Sequence, residues 1–514
     1  MTIGYLLLVG ICLGIARHVY AVDLTLKPGE TSNVVIDATI RKIRTKCILA
    51  EDYYFLRRLA EAQMESIQAR TGGIWRVTKA QLTTVKDACK GTLGPSCSKV
   101  QTELNVAVST VTLSDLRKPL YSGLVMSLFI LNLQAPISVD KQGQADYWVQ
   151  HINPDGAREV FVDSAKKLEQ RNDCASAQID LVFLIDSSGS VQEPNFNKTK
   201  NFLENIVRNL DIGPNKTRVA VIRFSSFSLV SFSLSAHSTN SAVIKAIDAI
   251  SYDDGSSTAT DLALDEVRTS VFTNTRKSVA AKVLVLVTDG HSNSEIRTVT
   301  AAQKLKDDGV TIFTIGVANP RVSELTAAAS EPSCTHFINL KDYNEIGFIV
   351  REIESDSCEA PAVVQNETSL LNMAIPKTNE TKQQVLQINN MAKSTLGTTV
   401  LVGVQCGVVT VYASFNNSYP NEADYDYEDW ATDNKPGKLF LVQKSELDQL
   451  FLTVLSKKRF DLNSSACDNP SYNISFKTTV ATITPVRMSD AAVTKQLFIN
   501  AWIYAGLLLL WQMA

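Results

Sequence analysis

The chain has 514 residues, 45% hydrophobic and 20% charged, with a formal net charge of −3. That length gives room for about three domains with cores of their own. The slight acidic balance leaves no electrostatic footprint for nucleic acid, and no internal repeat or long low-complexity segment stands out.

Residues 1–21 read as a secretory signal peptide. Tyr5 to Ile15 is an apolar core, and Val19-Tyr20-Ala21 ends in a small residue suited to cleavage. The apolar run is too short for a membrane span, and Arg17 and His18 interrupt its end. Without Cys12, which leaves with the signal, Cys47, Cys89, Cys97, Cys174, Cys334, Cys358, Cys406 and Cys467 remain. An even set in an exported chain suggests disulfides. No Cys-x-x-Cys pair or Cys/His cluster has zinc spacing. Sequons occur at Asn197, Asn215, Asn366, Asn379, Asn416, Asn463 and Asn473, and the density of five beyond residue 360 suggests a glycan-covered surface there.

Residues 22–173 read as mainly helical. Ala50 to Ala69 carries Phe55, Leu56, Leu59, Ala62, Met64 and Ile67 at helical spacing, and a second apolar helix is expected over Tyr121 to Leu133. Glu65-Ser66 is followed by Gly72-Gly73-Ile74-Trp75, then Leu120-Tyr121-Ser122-Gly123, and later Tyr147-Trp148 with Asn153 and Gly156. This order resembles the lysozyme-like lytic transglycosylase family. The resemblance implies that Glu65 protonates a glycosidic oxygen, its pKa raised by apolar surroundings. Arg76 stands where that family commonly has Gln, and no second carboxylate is obvious, so an inactivated lysozyme-like domain or an unrelated helical domain are the competing readings.

From residue 174 the pattern changes to alternating apolar runs and amphipathic segments. Strands are expected at 179–186, 218–225, 229–234, 282–288, 311–317 and 336–340, with helices near 195–210, 241–250, 261–271, 296–308 and 343–355. Such alternation calls for a mostly parallel sheet covered by helices on both faces, with ligands bound beyond the carboxyl ends of the strands. The apolar run Ile179 to Ile185 ends in Asp186-Ser187-Ser188-Gly189-Ser190. Gly255-Ser256-Ser257-Thr258 precedes a helical pattern, and the run Val283 to Val287 ends in Thr288-Asp289-Gly290. One carboxylate followed by hydroxyls at alternate positions suits a hard divalent cation, which prefers oxygen donors.

These segments resemble the von Willebrand factor type A family and its metal-ion-dependent adhesion site, of the form Asp-x-Ser-x-Ser, then Thr, then Asp. The resemblance implies an α/β doubly wound domain over 174–358. It also implies that Asp186, Ser188, Ser190, Thr258 and Asp289 hold Mg²⁺, or Mn²⁺ or Ca²⁺, with a partner's carboxylate completing the coordination. The competing reading is a site that only holds the loops together. In some members of the family the domain's ends are clasped, which here would join Cys174 to Cys358. The preferred alternative pairs Cys334 with Cys358 and Cys406 with Cys467 and leaves Cys174 to the three upstream cysteines, so that every region closes with an even count.

Residues 359–488 have strand character, with β-rich runs at 398–404, 408–412, 438–442, 450–454 and 472–476 that suggest an antiparallel sandwich. The segment Glu422 to Asp429 reads as a solvated, charged loop, with Ca²⁺ binding or tyrosine sulfation as alternatives. At residues 489–514, small residues from Ser489, a short polar spacer and the apolar tail from Leu497 match a glycosylphosphatidylinositol attachment signal, Ser489 being the preferred site. A short membrane span is the rival, but it lacks a positive cytoplasmic flank.

The expected protein is a lipid-anchored or secreted adhesion glycoprotein. Its A domain would bind an extracellular partner, a collagen-like or other matrix protein, through a divalent cation. A surface glycoside-cleaving enzyme and a structural matrix component are the alternatives.

Overall fold

The structure, a computed structural model, describes residues 21–49, 52–64, 72–169, 178–276, 280–364, 370–374, 382–389, 398–404, 408–432, 437–441, 449–456 and 471–480. Glu65, Cys174, Cys406, Cys467, Asn366, Asn379, Asn463, Ser489 and the tail from Leu497 lie outside these residues, and of Asn473 only the backbone is described. Among the described residues no helix is long and apolar enough to cross a membrane.

Among the described residues the short strand β1 (Val22–Asp23) leads into seven helices around one core: α1 (Asn33–Thr45), α2 (Phe55–Met64), α3 (Lys79–Ala88), α4 (Gly94–Leu104), α5 (Pro119–Leu133), α6 (Lys141–Tyr147) and α7 (Arg158–Glu169). Ser32 caps α1, and Thr78 and Gln81 form a capping box on α3. Helix α5 is buried on most of its circumference, as its nearly unbroken apolar sequence requires, and it packs against α1 and α3. The helix expected from Ala50 starts only at Phe55, because Tyr53 and Tyr54 take positive φ just before it. Gly73 is obligatory. Its φ is +72°, and a Cβ there would stand 2.0 Å from the Leu116 carbonyl oxygen.

The second domain comprises β2 (Ile179–Asp186), α8 (Glu193–Asn209), β3 (Arg218–Phe224), β4 (Ser228–Phe232), α9 (Asn240–Asp248), α10 (Thr260–Glu266), β5 (Ala281–Thr288), α11 (Glu295–Asp307), β6 (Val310–Val317), α12 (Val322–Ala328), α13 (Ser333–His336), β7 (Phe337–Leu340) and α14 (Val350–Glu359). Its sheet runs β4-β3-β2-β5-β6-β7, parallel throughout except for the β3–β4 hairpin. Along β2, Ile179, Leu181, Phe183 and Ile185 enter the core on one face, and Val182 and Leu184 the core on the other. A continuous apolar run is what a strand covered on both sides needs. Three elements depart from the sequence reading. Helices α12 and α13 had no expected counterpart, and α14 begins seven residues late because 341–349 form a loop with a short 3₁₀ turn.

The remaining strands are β8 (Ala362–Val364), β9 (Leu370–Ala374), β10 (Lys382–Ile388), β11 (Thr398–Val404), β12 (Val408–Ser414), β13 (Asp424–Tyr425), β14 (Tyr427–Thr432), β15 (Gly437–Leu441), β16 (Leu450–Ser456) and β17 (Ser471–Val480). Two sheets, β14-β12-β16-β10-β8 and β15-β11-β17-β9, share an apolar core in which Val409 and Leu452 of one meet Val400 and Leu439 of the other. The acidic segment is not a free loop. β13 pairs with β1, and β14 pairs with β12, which gives its backbone partners that the charge pattern did not suggest.

Helix α1 joins all three domains. Arg41 forms a bidentate pair with Glu359 and lies 4.1 Å over the Tyr419 ring. Arg44 reaches Glu352 at 2.6 Å and Asp356 at 3.2 Å, and Lys42 reaches Asp424 at 3.0 Å. A disulfide between Cys47, just past α1, and Cys334 of α13 makes the first of these joints covalent. The preferred Cys334–Cys358 pairing is therefore corrected, because α1 brings Cys47 to Cys334. Cys89 and Cys97 pair with each other, which leaves no upstream partner for Cys174. Cys358 is disulfide-bonded as well, to a partner outside the described residues.

Candidate metal centre

Strand register brings the candidate ligands to one edge of the second domain. Ile185 of β2 lies opposite Val287 of β5, so the two strands end together and their following loops leave the sheet side by side. Asp186 closes β2 and is 3% exposed. Its carboxylate accepts the Ser188 N–H at 2.8 Å and the Thr288 hydroxyl at 2.6 Å. The Ser188 and Ser190 hydroxyls are 3.2 Å apart, and Ser190 donates to Asp289 at 2.9 Å. Thr258 arrives from the third loop. A Cβ built on Gly290 would lie 3.3 Å from Thr258 Oγ1 and 3.7 Å from Asp186 Oδ2, so these two oxygens flank the Gly290 backbone closely.

The loops are fastened to one another as well as held by their own turns. Residues 188 and 255 form a parallel bridge, and the Gly189 N–H donates to the Gly255 carbonyl at 2.8 Å. Tyr252 donates its hydroxyl to the Ser188 carbonyl at 2.9 Å, and the Asp253 N–H donates to Ser187 Oγ at 2.7 Å. Asn293 closes the third side, its N–H donating to the Thr258 carbonyl and its side-chain oxygen accepting the Thr258 N–H. Sequence reading missed Thr288, Tyr252 and Asn293. Thr288 stands in plain sight before Asp289, but the bond it makes to a carboxylate on another strand is a product of register.

The electrostatics of β2 differ at its two ends. Asp180 is fully buried and paired with both Arg218 and Arg276. Among the described residues no Lys, Arg or His forms an ion pair with Asp186 or Asp289. Burial pushes the Asp186 carboxyl up to about 6 against the pull of its hydrogen bonds from Ser188 and Thr288, and Asp289 adds to the rise. Burial raises Asp289 as well. Two carboxylates without a protein cation, beside three hydroxyls, form an oxygen-only donor set that fits a divalent metal ion. Among the described residues no group of three or more His, Cys, Asp or Glu offers a different kind of metal site.

The other candidates lie apart. Glu65 falls outside the described residues, so the glycosidase reading gains no geometry. Trp75 is buried and donates its indole N–H to the Leu56 carbonyl, and Gly123 of α5 sits against Ile43, Trp75 and Thr39, all of which is core packing. His291 stands 3.3 Å from the Arg321 guanidinium on the rim. The sequon residues Asn197, Asn215 and Asn416 are all exposed.

The family model of the von Willebrand factor type A domain matches residues 180–352. The human collagen alpha-1(XXI) chain is 33% identical over 192 residues, covering 37% of this chain and 20% of its own length. Human matrilin-1 is 33% identical over 190 residues, 36% of this chain and 38% of that protein, and chicken matrilin-1 is 34% identical with the same coverage. The match thus takes in well under half of each relative. Among solved structures, proximal thread matrix protein 1 from the mussel byssus is 23% identical over 42% of this chain and 64% of its own, with a TM-score of 0.34. Another structure of that mussel protein, described as having a zinc-occupied MIDAS motif, is 26% identical over 38% of this chain and 52% of its own, with a TM-score of 0.33. The chain carries a von Willebrand factor type A domain.

Proposed function

From a type A domain at residues 180–352, we propose an extracellular adhesion or matrix-assembly protein that binds another matrix protein through a divalent cation. Asp186, Ser188, Ser190, Thr258 and Asp289 hold the ion, Mg²⁺ first and Mn²⁺ or Ca²⁺ as alternatives. The observation that carries this reading is the meeting of two carboxylates, unpaired with any described cation, and three hydroxyls at one sheet edge. The collagen and matrilin relatives support a matrix setting, and the signal peptide, sequons and Ser489 attachment signal support an extracellular, membrane-anchored one.

Each residue has a separable task. Thr288 and the Ser188 N–H fix the Asp186 carboxylate at the strand end, so a partner meets a preformed site. Ser190 orients Asp289 from the opposite side. Because only two formal negatives contribute, a bound divalent ion is not over-neutralised and supplies an electrophilic position for an incoming carboxylate. The helical and β domains, fastened through α1, act as a frame that presents this edge outward.

The test uses the full chain immobilised in medium containing matrix proteins. Wild type is expected to retain a partner in Mg²⁺ and release it in EDTA, and Asp186→Ala is expected to retain none although it stays folded. Retention in chelator, or by the variant, would contradict the reading.

A further inference from the structure

The two sides of the candidate metal centre are chemically unlike. On one side the helices α10, α11 and α12 begin at the same edge as the ligand loops, and neighbouring helices pack against each other. Their first turns project Leu262, Ile296 and Val322, which are 54%, 81% and 47% exposed. Phe227, 57% exposed, extends the row at the β3–β4 turn, next to Ser226, which hydrogen-bonds Ser257 of the Thr258 loop. The charges among these side chains neutralise one another. Arg297 of α11 pairs with Asp261 of α10 at 2.7 Å, and Glu295 of α11 takes Arg321 at 3.4 Å and the Ser323 hydroxyl at 3.1 Å. What faces outward is an apolar arc interleaved with ion pairs that balance each other's charge, Arg297 being 66% exposed.

The opposite side carries exposed Glu193 and Asp254, and Asn197 sits one turn into α8 with its sequon intact. Negative charge there, and a glycan wherever that sequon is used, disfavour a ligand that brings its own carboxylate. The arc, by contrast, is contiguous with the ligand loops, since Asn293 ties the approach to α11 directly to Thr258. Exposed apolar side chains clustered beside a polar site are the usual mark of a contact surface.

Resting on the cation reading above, we propose that the partner is a polypeptide segment whose acidic residue is flanked by apolar side chains, and that these lie over Phe227, Leu262, Ile296 and Val322. The arc sets which acidic segment is accepted, and the cation sets that it must be acidic.

The probes are dye-labelled, capped pentapeptides with a central Glu flanked by Leu or by Ser, and the Leu-flanked peptide with Gln in place of Glu. They are titrated against the full chain in Mg²⁺ and in EDTA. The Leu-flanked Glu peptide is expected to bind in Mg²⁺ roughly tenfold tighter than the Ser-flanked one, as burial of two or three apolar side chains implies. That preference is expected to vanish in a Leu262→Ser/Ile296→Ser double variant whose Mg²⁺ affinity, read by calorimetry, is unchanged. It is expected to persist in Asn197→Gln. Equal binding of both Glu peptides in Mg²⁺, or a preference retained by the double variant, overturns the arc and leaves the cation reading standing. Loss of the preference in Asn197→Gln also overturns it, because the partner would then lie on the other side. If no Glu peptide binds in Mg²⁺, both readings fall.

Discussion

Asp180 and Asp186 occupy the same strand and are both buried, yet they predict opposite responses to removal of charge. Asp180 neutralises two arginines, so Asp180→Asn strands them and is expected to cost about 3–5 kcal/mol, read as a lowered denaturation midpoint with or without Mg²⁺. Among the described residues Asp186 has no such partner. Asp186→Asn is expected to raise the melting temperature slightly in EDTA, because it removes a buried carboxylate that lacks a countercharge. In saturating Mg²⁺ the order should reverse, since ion binding stabilises the wild type by about 2.7 kcal/mol at a hundredfold excess over Kd and has little hold on the variant. Parallel melting curves in the two buffers check both claims. At this scale the ligand letters were legible, because the Asp186 and Asp289 loops each follow an apolar run that reads as a buried strand, and Thr258 stands just before a helical pattern. The fastening of those letters by Thr288, Tyr252 and Asn293 was not, because it depends on which loops the sheet order sets side by side.

The joint between α1 and α14 predicts a pH dependence. Glu352 is buried, and burial pushes its carboxyl up to about 8 against the pull of Arg44, with Asp356 and Asp52 adding to the rise. A carboxyl with an ordinary unfolded value near 4.5 therefore stays protonated in the fold over that interval. The folded state binds the extra proton, so stability is highest below the unfolded value and falls as pH rises toward the folded one. The slope is at most about 1.4 kcal/mol per unit for this group. Glu352→Gln should flatten the stability profile between roughly pH 5 and 8, whereas an unchanged slope would mean that Glu352 does not carry it. None of this was legible in advance. Nothing in the sequence around Arg41 and Arg44 points to their partners, because only the folded chain supplies Glu359, Glu352 and Asp356. Helix α12 was missed because seven residues are too few to establish a helical period. Strand β14 was missed because its charged letters suggest water, although its backbone is paired to β12.

Across the whole molecule, the Cys47–Cys334 disulfide closes a sequence separation of 287 residues. In the chain-entropy account such a loop is worth about 6 kcal/mol at most. The double variant Cys47→Ser/Cys334→Ser is expected to lower the denaturant midpoint and to let protease cut between the helical and A domains before either unfolds. An unchanged cleavage pattern would show that the α1 ion pairs alone hold the joint. Domain order and the A-domain topology could be read from the change in apolar periodicity near residue 174, but the fastening of all three domains through α1 could not, because its partners lie more than 300 residues away in the chain.

The most direct check of the central claim is calorimetric titration of Mg²⁺ into the metal-free full chain, wild type and Asp186→Ala. A single saturable site in the wild type, absent from an equally well folded variant, is the expected result. Binding that survives Asp186→Ala, or no binding in the wild type, would contradict a cation held by Asp186, Ser188, Ser190, Thr258 and Asp289.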